Sequence, residues 1–117
     1  MAKVYLAGPM RGIPYFNFPA FMEAAAKLRS QGHEVFNPAE RDIEKYGKDI
    51  SADNPRGSEA LAARLHGFNL REALAADLAW ICLHADAIAL LPNWERSKGA
   101  RAEFYAAKAL DLEVIDA

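Results

Sequence analysis

Two acids interrupt apolar helical stripes in this chain, and they are the residues best suited to chemistry. Glu103 follows Gly99 at i+4 and Ala100 at i+3, and Ala107 and Leu110 continue its stripe. Arg101, Tyr105 and Lys108 occupy a different, solvated face. Helical side chains lean toward the N-terminus, so the Glu103 carboxylate points past two nearly bare residues into the mouth of the preceding loop. Asp77 repeats the anomaly on a stripe of Leu70, Leu74 and Ile81. Burial raises a carboxyl pKa, whereas helix N-terminal amides and a guanidinium such as Arg11 lower it. Two carboxyls so placed suit a nucleophile beside a group that orients hydroxyls. Displacement at an anomeric carbon, with an oxocarbenium-like transition state, uses that arrangement. The plainer alternative is a pair of surface acids whose phase the pattern misplaces by one residue.

The loop before Glu103 adds an anion site. Ser97 is an N-cap candidate, and Gly99 and Ala100 leave the first helical N–H groups uncovered. Arg11, in the turn Gly8-Pro9-Met10-Arg11-Gly12, would add a charge and directional donors. A sugar carrying a 5′-phosphate would fit between them. Tyr5 is either a core residue of a central strand or a member of the pocket. Trp94 is either a stacking wall for a base or an anchor for a partner subunit.

The elements that must position these residues alternate. Lys3–Ala7 reads as a first strand, Asn17 as the cap of a helix with Pro19 in its first turn, and Phe18, Phe21, Ala25 and Leu28 as its inward stripe. Gly32 ends that helix and Glu34-Val35-Phe36 forms a second strand. From Glu40 to Gly67 periodicity fails, apart from a short helical signal over Ser58–Leu65, and either an irregular lid or oligomer arm or a disordered crossing is expected there. A helix over Asn69–Leu83, a strand Ala87–Leu91, a helix from Ser97 and a last strand Glu113–Ile115 follow. The expected fold is one flavodoxin-like (Rossmann-like) α/β domain over 1–117, with a mostly parallel sheet of order 2-1-3-4 and helices on both faces. Ligands of such sheets bind beyond the strand C-termini, at the switch in strand order. Here that crevice lies between the loops Gly8–Gly12 and Pro92–Gly99.

Bulk properties narrow the function classes. The 117 residues suffice for one domain, and 52% hydrophobic with 26% charged residues is ordinary globular composition. Fourteen basic against 16 acidic residues give a net charge of −2, with no basic tract to neutralise a nucleic-acid polymer. No apolar run approaches the about 20 residues of a membrane span, and no signal peptide is visible. The single Cys82, between Ile81 and Leu83, is expected to be a buried structural thiol in a reducing, cytoplasmic setting. His33, His66 and His84 lack metal-ligand spacing, and the Gly8–Gly12 turn is neither a dinucleotide fingerprint nor a Walker A loop.

Several motifs together resemble the nucleoside 2-deoxyribosyltransferase-like superfamily, and most closely its small uncharacterised bacterial and phage group. They are Val4–Gly12, Asn17-Phe18-Pro19, Asn37-Pro38-Ala39-Glu40, Asp77-Leu78, and Leu91-Pro92-x-Trp94-Glu95-x-Ser97-x-Gly99-Ala100-x-x-Glu103. The 2′-deoxynucleoside 5′-monophosphate N-glycosidases are more remotely similar. The resemblance implies Glu103 as the nucleophile at C1′, Asp77 beside the sugar, and Tyr5 and Gly8 lining the site. It implies Arg11-Gly12 as a counterpart of an Ile-Arg-Gly turn, and Ser97 with Gly99 as phosphate ligands. Lys98 departs from the transferases, in which the serine directly precedes the glycine. Met10 and Trp94 complete the expected substrate-binding set. A homo-oligomer, dimer or tetramer, acting on a small nucleotide or nucleoside without metal or organic cofactor, is the expectation that follows. The alternatives are a non-catalytic nucleotide-sensing module and an interaction protein with a vestigial pocket.

Overall fold

Four short apolar runs form four parallel strands in the computed structural model, which describes residues 2–117. They are β1 (Lys3–Ala7), β2 (Glu34–Phe36), β3 (Ala87–Leu90) and β4 (Glu113–Asp116), in the order β2-β1-β3-β4. β1 pairs with β2 through Val4 and Val35, and with β3 through Tyr5 and Ile88; β3 pairs with β4 through Ile88 and Val114. The expected flavodoxin-like order is present, and the sheet, expected to be mostly parallel, is parallel at every pairing. Parallel strands need crossovers, and the reversal of direction at β1 sends successive helices to opposite faces.

One face of the sheet carries Val4, Leu6, Ala87 and Ala89 and packs against α1 (Phe18–Ser30) through Phe18, Phe21, Ala25 and Leu28, the anticipated stripe. The other carries Tyr5, Ala7, Ile88 and Leu90 and packs against Ile81 of α4 (Leu70–His84) and Ala107 of α5 (Lys98–Ala109). Asn17 precedes α1 but does not cap it with its side chain, which instead donates to the Pro9 carbonyl at 3.0 Å. Tyr15, Phe16 and Asn17 form a left-handed turn, with φ of 54°, 54° and 61°.

The segment Glu40–Gly67 departs most from expectation, because most of it is helical. α2 (Pro38–Tyr46) starts at Asn37, whose side chain accepts from the Ala39 N–H at 2.9 Å, and stops at Gly47 in the left-handed region. α3 (Glu59–His66) starts at Ser58, whose hydroxyl accepts from the Leu61 N–H, and stops at Gly67. α2 lacks visible periodicity because its buried residues are Pro38, Ala39 and Asp42, none of them a large apolar side chain. Residues 47–58 between the two helices are packed against the β1–α1 loop. Gly12 N–H donates to the Gly57 carbonyl at 2.8 Å and Tyr15 N–H to the Asn54 carbonyl at 3.1 Å. Gly57 lies so close to Ile13 that a Cβ there would meet its carbonyl oxygen at 2.1 Å.

Two smaller expectations fail, one on helix phase and one on where a helix ends. Cys82 is exposed, because Ile81 takes the inward direction and its neighbour lies about 100° around the helix. Leu110 is also exposed, since α5 has ended and its chain turns toward β4. Among the described residues no helix is long and apolar enough to cross a membrane.

Candidate active site

A cavity of about 180 Å³ opens beyond the C-terminal ends of β1 and β3, at the switch in strand order. Tyr5, Gly8, Met10 and Arg11 reach it from β1 and its loop, Asp77 from α4, and Ser97, Gly99 and Glu103 from α5 and its cap. Gly8 is required by close packing: a Cβ there would lie 2.7 Å from the Leu91 Cβ. Eight of the expected site residues thus share one cavity.

Two do not. Gly12 turns away with φ of 77° and spends its N–H on Gly57. Trp94 is absent from the lining because the chain reverses at Asn93, φ 67°, and swings the indole onto Phe104, ring centre to ring centre 4.6 Å. Ser97 caps α5 as expected, its hydroxyl accepting from the Ala100 N–H at 3.1 Å. That bond occupies the Ala100 amide, one of the two amides expected to hold an anion, while Lys98 and Gly99 line the cavity. Arg11 reaches the cavity wall while paired with Glu59 of α3 at 3.0 Å.

The centre of the site is buried and acidic. Glu103 is 6% exposed and accepts a hydrogen bond from the Tyr5 hydroxyl at 2.8 Å. Burial, then the charge of Asp77, push the Glu103 carboxyl well above the ordinary carboxylate range. Burial and Glu103 likewise hold the Tyr5 phenol protonated. Asp77 is raised by burial, and its pairing with Arg41 acts in the opposite sense. Asp77 and Glu103 line the same cavity, and the negative charge of Asp77 adds to burial in favouring the protonated form of Glu103.

The partner of Asp77 was not foreseen. Arg41 of α2 donates to Asp77 Oδ1 at 2.7 Å and to Asp42 Oδ1 at 3.0 Å, and both Arg41 and Asp42 line the cavity. Burial works against the Arg41 charge, but Asp77 and Asp42 outweigh it and raise its pKa. Burial pushes Asp42 up to about 6. A signal for these residues existed: Asn37-Pro38 is an N-cap followed by proline at N1, which starts a helix and puts Arg41 and Asp42 in its first turns.

Residues 2–116 match the family described as Domain of unknown function (DUF4406). The chain belongs to that family. The DUF4406 match spans every strand and helix that lines the cavity, so the site lies wholly inside the family domain. No curated protein and no solved structure matches the chain. Among the described residues of this DUF4406 domain, no group of three or more His, Cys, Asp or Glu is gathered to hold a metal ion.

Proposed function

We propose that the protein cleaves the N-glycosidic bond of a 2′-deoxynucleoside 5′-monophosphate or a close relative, with Glu103 as the nucleophile. The observation that carries this reading is Glu103 itself. It is a buried carboxyl, hydrogen-bonded by Tyr5 and adjoining Asp77, one turn beneath the N-terminus of α5. The motifs shared with the nucleoside 2-deoxyribosyltransferase-like superfamily support it, because the same residues carry that resemblance. Arg11, Lys98, Ser97 and the start of α5 form the cationic, donor-rich rim suited to a phosphate. Phe16, Phe18 and Phe68 present aromatic faces along the apolar wall.

The chemistry balances on one proton. The C1′–N bond breaks and its electron pair leaves with the base, which takes the proton of the Asp77–Glu103 pair. Glu103, now a carboxylate, forms the C1′–O bond, and Asp77 remains ionised. Water, or a second base, then displaces Glu103 from C1′ and returns a proton to the pair. Because the proton is consumed in the first step, base release falls as the pH rises past the point where Glu103 loses it. That point lies above the ordinary carboxylate range. Incubation with deoxynucleoside monophosphates should release free base, read by chromatography, and Glu103→Gln should reduce release to background. Undiminished release by Glu103→Gln would remove Glu103 from the nucleophile's role.

A second reading has one observation in its favour: Glu103 is 6% exposed, and burial favours its protonated form, which is no nucleophile, so that the same cavity holds a nucleotide without turning it over. Calorimetric binding of nucleotides with no base released would select this sensing role.

A further inference from the structure

Arg41 has more contacts than a charge pair needs. Its Nη1 donates to Asp77 Oδ1 at 2.7 Å and to the Ala73 carbonyl at 3.3 Å, while Nε and Nη2 both lie 3.0 Å from Asp42 Oδ1. The side chain is 18% exposed, and its two acids come from different helices, α2 and α4. An exposed ion pair of this kind would contribute little, but a guanidinium spanning two buried carboxyls is held in place by both. The two members of the carboxyl pair therefore have unlike neighbours. Asp77 faces a guanidinium, whereas Glu103 faces the Tyr5 phenol and has no cation in hydrogen-bonding contact among the described residues.

We propose that Arg41 is a positioning residue for the two carboxyls: clamped by Asp42, it holds Asp77 as the carboxylate and leaves Glu103, which has only the Tyr5 phenol beside it, as the member that carries a proton. Its catalytic meaning rests on the glycosidic reading above, but the assignment is a property of the resting protein. The groups around the pair are Tyr5 from β1, Arg41 and Asp42 from α2, with Lys45 acting on Asp42, and Arg11 and Lys98 at the cavity rim. Of these, Arg41 alone forms an ion pair with Asp77. With Asp77 fixed as a carboxylate, the proton that leaves with the base comes from Glu103, and the nucleophile is uncovered by the same transfer that neutralises its leaving group. Glu103 is then masked until a base is present to take its proton.

Carboxyl-carbon NMR of the full chain, labelled in Asp and Glu and assigned with Asp77→Asn and Glu103→Gln, tests this directly. At neutral pH Asp77 should read as carboxylate and Glu103 as protonated. Arg41→Gln should raise the Asp77 midpoint by about 1–3 pH units, and Arg41→Lys by less. If Arg41→Gln does not fold, the Arg41→Gln/Asp42→Asn double variant, which removes one charge of each sign, gives the same readout. A protonated Asp77 in the unmodified protein, or a midpoint unmoved by Arg41→Gln, overturns the proposal. Base release measured in parallel separates the two ideas. The expected titrations without base release would discard the glycosidic reading and keep the role of Arg41. Base release with an unmoved midpoint and an unmoved pH profile would do the reverse.

Discussion

At the scale of single residues, the site is defined by carboxyls that burial has driven upward. Asp42 shows what this does to the fold. Its folded pKa of about 6 stands above the about 3.9 of an unfolded aspartate, so the folded state binds the proton more tightly between those values. The resulting stability is complete below about pH 4 and is lost as the pH rises through about 6, a change on the order of 3 kcal/mol. Asp77 and Glu103 are raised too and act in the same direction. Urea unfolding at pH 4 and pH 7 should therefore show a smaller difference for Asp42→Asn than for the unmodified protein; an equal difference would mean that Asp42 titrates normally. The acids Asp77 and Glu103 were legible in the sequence because each breaks a stripe that otherwise demands apolar residues. Tyr5 was legible as a strand residue or a pocket member, but its bond to Glu103, which spans 98 positions, was not. Arg41 and Asp42 lay hidden among charges that mostly do face solvent.

At the scale of elements, legibility followed apolar content. α1, α4 and the four strands present large hydrophobic side chains at regular spacing, and their positions follow from that spacing. α2 buries only Pro38, Ala39 and Asp42, so it can be found only by its cap. The left-handed turn at Tyr15–Asn17 was not legible at all, since nothing in Tyr-Phe-Asn favours φ above zero at three successive positions. Each such residue costs about 1–2 kcal/mol. The turn persists because Phe16 is buried, Tyr15 N–H reaches Asn54, and the Asn17 amide reaches Pro9. Tyr15 is half exposed, so its ring contributes little to offset its backbone. Tyr15→Gly should accordingly raise stability by about 1 kcal/mol, seen as a Tm higher by a few degrees. Phe16→Gly should lower it by about 3–5 kcal/mol, because the buried ring is lost. A lower Tm for Tyr15→Gly would show that its ring outweighs the strain.

At the scale of the whole molecule, the sheet is a frame that brings two loops together at its switch point, and the sequence suffices to predict that crevice. It does not predict which loop residues turn inward, as Trp94 and Gly12 demonstrate. α4 and α5 leave Leu83 74% and Tyr105 66% exposed on the outer surface. If the homo-oligomer implied by the superfamily resemblance forms through these helices, light scattering should report a multiple of the 12.9 kDa chain, and Leu83→Glu should return it to the monomer. A monomer at all concentrations would refute that arrangement. The contact of Gly57 with Ile13 sets a different quantity, time. Two bonds and a backbone approach too close for any Cβ tie residues 47–58 to the loop that carries Met10 and Arg11, and Ile50 from the same segment lines the cavity. Opening either loop alone breaks both of these bonds. A ligand inside would leave on the slow clock of a joint opening, and the amide hydrogens of Gly12 and Tyr15 should exchange with solvent at one common rate.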